Sequence, residues 1–430
     1  MHKRLYKLQN LWLEVNEEGG PGRKYYPYGV YLRKVEILEL IGQWQEAEEI
    51  CRCGLKWAEK TNQKAKIAES QNWLGWMLHQ RGANAQAFLL FKSASEIYES
   101  INDRQEAGWA ISYMGCVYYR QGDYQKAIDC YNKKLEIAEE LNDRKGIASA
   151  LNNIANIYGE QGDHVKSMEF YQRAMEIAEN IGDKRVGGVI SGNIGAAHWD
   201  QGEYQKAIER FQRQADLASE LEDKWQISSA IGNMAGIYLM QGDYELANEY
   251  LGQKFKIDGE LGYKRGISIT LSYMGALYKL KKDCLKAEDY YKQAIAIARE
   301  LQLRYYLGGY LFELADIYFE MNRIDDTIAI NSEAVEMAKE IGDDHTIFSC
   351  QKLAAKILAL TDRPAAVKKF TEMLQQTTEE TQIAGLHYEL FKLTGANQNK
   401  TNAIDMYKNL YRKTPNIQYK ERIEELEQVE

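Results

Sequence analysis

Apolar and polar positions recur along this chain with the rhythm of paired helices. In residues 144–182, Leu151, Ile154, Ala155 and Tyr158 return at three- and four-residue steps, which is one face of a helix. Gly162 predicts the end of that helix, because glycine tolerates the left-handed backbone of a helix stop. Asp163 is placed to cap the next one. A second stripe runs through Ser167, Tyr171, Ala174 and Ile177 and stops near Gly182 and Asp183. Comparable turn residues stand at Asn142–Asp143, Glu222–Asp223 and Gly262–Tyr263. The segment reads as an antiparallel helix pair. Ala155, Ser167 and Ala174 let the backbones approach, and Tyr158 and Tyr171 fill the space around them. Burying one such tyrosine contributes about 1.5–3 kcal/mol. A lone pair is therefore unstable, and neighbouring pairs must supply the remaining apolar contact.

The pattern returns every forty positions. Small residues stand at Gly75, Gly115, Ala155, Gly195, Ala235, Gly275 and Ala315, and glycines at Gly82, Gly122, Gly162, Gly202 and Gly242. A further small row follows at Ala87, Ala127, Ser167, Ala207, Ala247 and Ala287. A period of this size predicts an all-α solenoid of about ten stacked helix pairs, the last two degenerate. Residues 28–350 form the regular array, beginning with a pair at 28–60 that has Leu38, Gly42, Ala47 and Leu55 on pattern. Residues 1–27 read as a capping helix, about 2–16, and a turn-rich break, EEGGPGRK at 17–24. Residues 351–430 hold the degenerate units. Ala366 and Phe370 arrive one residue early after Pro364, a last unit holds Ala403, Tyr407 and Pro415, and the tail YKERIEELEQVE suits a capping helix with a solvated face.

Eight positions of the pair at 144–182 carry a family signature: Leu151, Ile154, Ala155, Tyr158, Gly162, Ser167, Tyr171 and Ala174. The next pair repeats it with Ile194, Gly195, His198, Gly202, Ala207 and Phe211, and the one after with Ile231, Met234, Ala235, Tyr238, Gly242 and Ala247. In these residues the sequence resembles the tetratricopeptide repeat (TPR) family over nearly its whole length. The forty-residue period and the lack of a closing proline before Pro415 resemble the family's longer-repeat branch. That branch includes spindle-orientation adaptors, kinesin light chains and bacterial peptide-sensing regulators. The resemblance implies a right-handed superhelix and a non-enzymatic scaffold that binds a peptide segment of a partner protein.

Charge and composition narrow the function. The 430 residues carry a net charge of −9, and no basic stripe marks a nucleic-acid surface. No apolar run is long enough to span a bilayer. The basic, mildly apolar start lacks a signal peptide's cleavage pattern. The six cysteines (Cys51, Cys53, Cys116, Cys130, Cys284 and Cys350) are scattered, which suits a reduced, cytoplasmic protein. Cys51 and Cys53 lie two apart in a helix and point away from one another, so no metal site is expected there. EEGGPGRK lacks P-loop spacing. The histidines His2, His79, His164, His198, His345 and His387 are isolated, and His198, at a core tyrosine position, reads as packed. No nucleophile, base and orienter converge. No cofactor and no enzymatic activity are expected.

The resemblance also implies which residues look into a concave groove: the positions six, three and two before the small residue, and the one after it. In residues 144–182 these are Ser149, Asn152, Asn153 and Asn156. Asn153, Asn193 and Asn233 are equivalent, and Asn72 lies one residue off their row. An amide both donates and accepts, so such a ladder could hold an extended peptide by its backbone, at about 0.5–1.5 kcal/mol net per bond. Trp73, Trp76, Trp109 and Tyr113, with Tyr119 a turn on, make the N-terminal part aromatic; Trp199 and Tyr273 continue it. Asp200, Glu313, Asp316 and Glu320 make the C-terminal part acidic, interrupted by Lys279. A ligand with apolar anchors and a basic end would match. Asn156 and Asn193 fall on two positions of the family's carboxylate clamp. Its basic positions hold Asn152, Ser229 and Asn233, which disfavours a chaperone C-terminal tail as ligand. Two other functions stay open: the sensor portion of a signalling enzyme or transcription regulator, and a self-assembling scaffold.

Overall fold

The computed structural model describes residues 44–80 and 82–429, with Lys34, Val35 and Leu38 ahead of them. The helix expected at 2–16, the break at 17–24, Gly42 and His2 lie outside the described residues. Twenty helices follow among the described residues: α1 Trp44–Lys60, α2 Lys64–Gln80, α3 Asn84–Ser100, α4 Arg104–Arg120, α5 Tyr124–Glu140, α6 Arg144–Glu160 and α7 His164–Asn180. Next come α8 Lys184–Asp200, α9 Tyr204–Glu220, α10 Lys224–Gln241, α11 Tyr244–Leu261, α12 Lys264–Leu280, α13 Cys284–Glu300 and α14 Arg304–Glu320. The series ends with α15 Ile324–Ile341, α16 Asp344–Leu358, α17 Arg363–Gln376, α18 Glu380–Thr394, α19 Asn397–Lys413 and α20 Ile417–Gln428. The protein is an all-α solenoid of helical repeats.

Turns recur every twenty positions. Residues with positive φ fall at Asn62, Gly82, Asn102, Gly122, Asn142 and onward in the same step to Asn322 and Gly342. An aspartate one residue on caps many of the following helices. The carboxylates of Asp103, Asp123, Asp143, Asp163, Asp283 and Asp343 each accept from the backbone N–H three residues later, which satisfies a donor the helix leaves unpaired. Lys282 holds this left-handed turn at φ 62° without being glycine. An L-residue with a side chain is strained there, so Lys282→Gly should raise stability by about 1 kcal/mol, read as a higher urea midpoint.

Pairs close because a ring occupies the space of a missing methyl. A Cβ built on Gly75, Gly115, Gly195 or Gly275 would lie 2.6–2.8 Å from ring carbons of Phe91, Tyr131, Phe211 or Tyr291 respectively. Where the small residue is Ala155, the Ser167 hydroxyl from the second helix donates to its carbonyl at 2.9 Å. The repeat loosens near the end. Helices α16, α17 and α18 have 15, 14 and 15 residues, and Thr377 between the last two is extended rather than left-handed. Ala366 and Phe370 are nevertheless fully buried. Tyr419, Ile423 and Leu426 of α20 close the core of α18 and α19.

Packing divides the chain into two compact units. The first runs to Ala197 and takes in Glu209–Ala230 and Glu260–Tyr263; the second holds His198–Ile208, Ile231–Gly259 and everything from Lys264 onward. No helix among the described residues is long and apolar enough to cross a membrane.

Candidate interaction surface

The first unit carries most of the expected site residues on α2, α4, α6 and α8. Asn153 and Asn193 are half-buried, as their helical phase requires. The Asn193 amide donates to the Asn152 carbonyl oxygen at 2.9 Å, and the Asn152 amide lies 3.4 Å from that of Asn153. The asparagines thus bond one another from repeat to repeat. Asn152 itself is buried, and so is Asn72, contrary to the expectation that both open into a groove. Their phase packs on the second helix of the pair. At the equivalent Gly192 and Gly232 the side chains of Gln214 and Lys254 press into the space that asparagine fills elsewhere. Asn156 is half-buried and accepts from the Tyr171 hydroxyl, the partner helix of its own pair.

The aromatic residues are also partly committed. Trp76 packs at 5.9 Å from Tyr113, and Tyr113 at 5.2 Å from Phe91, within a cluster that includes Trp73. The Trp109 ring is covered by the Lys134 ammonium at 3.2 Å from its centroid, and that ammonium also donates to Ser149 at 3.0 Å. Burial brings Lys134 down to about 7. Tyr119 donates to Glu160 at 2.8 Å. His79, rather than His198, is the histidine sunk in the core: burial, then the charge of Arg120, lowers it to about 4 against an opposing bond from Asn84. His198 is half-buried and meets Glu203 at 2.6 Å across its turn.

In the second unit Asn233 and Tyr273 keep the same helical phase, both half-buried. Trp199 lies over Gly236 and donates to the Met240 sulfur at 3.0 Å. The acidic end differs from its appearance in the sequence. Lys279 reaches both Glu313 and Asp316 at 2.7 Å, and Lys356 approaches Asp316 at 3.6 Å. Burial opposes the charge of Lys279, but the two carboxylates outweigh it and hold the ammonium above its usual range. Burial likewise opposes Asp316, and Lys279 and Lys356 outweigh it and hold its carboxyl down. An ion-paired cluster therefore takes up Glu313 and Asp316, while Asp200 and Glu320 stay exposed. It borders a cavity of about 330 Å³ whose other wall is Gln418, Glu421, Arg422 and Glu425 of α20. The sequence marked that tail only as a capping helix with a solvated face, and its polar residues gave no sign of this neighbour.

These pairs of helices, meeting at small-against-aromatic contacts and stacked within each unit, define a helical-repeat interaction protein. The tetratricopeptide repeat family matches residues 106–180, 188–258 and 233–300. Over those residues the chain carries tetratricopeptide repeats, and arrays of this kind are protein-interaction modules. No curated protein matches it in sequence. Several solved structures share its fold. A Rap protein crystallised with the competence and sporulation factor is 16% identical with a TM-score of 0.54, over 84% of this chain and 99% of that one. Aspartyl phosphate phosphatase F from Bacillus subtilis is 15% identical with a TM-score of 0.50, over 74% and 96%. A signal-transduction ATPase with a tetratricopeptide repeat sensor from Pyrococcus horikoshii is 14% identical with a TM-score of 0.52; the match covers 81% of this chain and 53% of that one.

Proposed function

We propose that this chain is a non-enzymatic scaffold that grips an extended peptide segment of a partner protein along the first helices of its pairs. The observation that carries the reading is the pair Asn153 and Asn193, at one phase of successive repeats, half-buried, and linked through Asn152. An asparagine has two N–H donors and an acceptor, so a neighbour's single bond leaves it able to meet a peptide backbone. Asn233 and Tyr273 hold the same phase in the second unit, and Trp73 and Tyr113 in the first. Half-buried tryptophan and tyrosine are favoured anchors at interfaces. Lys279 takes up two of the carboxylates that favoured a basic end in the ligand, so apolar anchors are the stronger part of the expected partner.

The test is affinity capture from host lysate, wild type beside Asn153/Asn193→Ala, followed by titration with a synthetic peptide from the captured partner. The variant should keep its helicity and melting temperature. Loss of two backbone bonds should weaken the peptide by about 10- to 100-fold. Equal affinity would place the interface on other faces of the repeats.

A further inference from the structure

Within the second unit, the end of the chain returns to the turns of earlier pairs. A Cβ on Gly202 would overlap the Lys413 carbonyl oxygen and Thr414, and one on Gly242 would lie 3.1 Å from the Ile417 side chain. Gly122 and Gly162, the same turn position in the first unit, have no described atom within 4 Å of such a Cβ. Tyr204 and Tyr244 follow the two closed turns. Burial first, and then Tyr419 beside Tyr204 and Glu421 beside Tyr244, raise their phenols. Beyond these residues the segment forms the outer wall of the 330 Å³ cavity, opposite Lys279, Glu313 and Asp316.

This contact is thin. Beside the two tyrosines it offers a backbone approach at Gly202, one isoleucine at Gly242, and polar side chains facing a cavity where a core would be packed. Past Ile417 the apolar residues of α20 point elsewhere, with Ile423 and Leu426 held among Tyr388, Tyr407 and Leu410 of α18 and α19. The cap therefore keeps its own core when the contact parts. Elements with few apolar contacts open first.

We propose that residues 413–425 are a latch, which closes on the turns at Gly202 and Gly242 and covers the inner ends of α12 and α14 until it lifts. The proposal that it regulates partner entry rests on the reading of the first helices as a peptide-binding surface; the latch itself does not. Gly202→Ala and Gly162→Ala both put a methyl on a left-handed turn, at φ 73° and 79°, so the backbone cost is shared. Only the first strikes the latch. Tryptic cleavage at Arg412, Lys413, Lys420 and Arg422, with hydrogen exchange over 413–428, reads the opening without any partner. Gly202→Ala should speed cleavage by about tenfold or more, with Gly162→Ala at the wild-type rate. Ile417→Glu, which leaves every turn native, should release the latch in the same way and guards against misfolding at Gly202. Wild-type rates in both Gly202→Ala and Ile417→Glu overturn the latch. If the latch opens but a peptide that binds wild type binds no more tightly, its role in partner entry is overturned while the peptide-binding reading stands.

Discussion

Phe211→Ala is expected to destabilise the first unit by about 3–5 kcal/mol. Phe211 is fully buried, and its ring lies against Gly195, where a Cβ would come within 2.8 Å of it. The glycine and the ring are one device: the missing methyl is the room the ring occupies. Truncating the ring leaves a void that neither helix backbone can close, because each is also packed on its other neighbours. The converse change is milder. Gly195→Ala forces the ring to move away, and the array shows that such a shift is tolerated, since Ala155 stands opposite Tyr171 in the preceding pair. A loss of about 1 kcal/mol is expected there. Urea unfolding followed by circular dichroism checks the order, and hydrogen exchange in α8 and α9 checks the place. Exchange is the sharper readout, since repeat arrays unfold segment by segment when one interface weakens.

The ring-on-glycine device explains why so much of the fold was legible. A short polar turn every twenty positions and a small residue every forty are local signals, and each is enforced by backbone sterics that act the same way in every unit. Gly162 at φ 79° and Asp163 accepting from the N–H of Lys166 follow from residue type alone. The candidate surface was less legible because side-chain direction depends on a neighbour forty residues away. Asn152 and Asn153 are adjacent and chemically identical, yet one is buried against the second helix and the other half-open. Glu313 and Asp316 read as an acidic patch until Lys279, from the preceding pair, is brought between them. The closure of Lys413 on Gly202 joins residues more than two hundred positions apart, and no periodic pattern encodes it.

Lys134 should make the stability of the first unit rise with pH above neutrality. It is buried on α5 between Trp109 and Ser149, with no carboxylate at ion-pair distance among the described residues. The second unit shows how the same position is otherwise satisfied. Lys254, three repeats on, is equally buried, but Asp258 takes its ammonium at 2.9 Å and Thr270 supports that carboxylate at 3.2 Å. The residue equivalent to Asp258 beside Lys134 is Ala138. Burial therefore lowers Lys134 from 10.5 to about 7. Between those values the unfolded chain binds more protons than the folded one, so stability increases with pH; below about 7 both states are protonated and the whole penalty remains. At about 1.4 kcal/mol per unit, the span approaches about 5 kcal/mol. The indole face and the Ser149 hydroxyl recover part of the lost hydration, so a rise of about 3 kcal/mol is expected. The difference in unfolding free energy between wild type and Lys134→Met, measured from pH 6 to 10.5, isolates this group from the rest of the titration. Ala138→Asp supplies the carboxylate that Lys254 already has, and it should flatten the curve by keeping the lysine charged in the folded state. A wild-type curve parallel to that of Lys134→Met would mean that the ammonium keeps its hydration in this position.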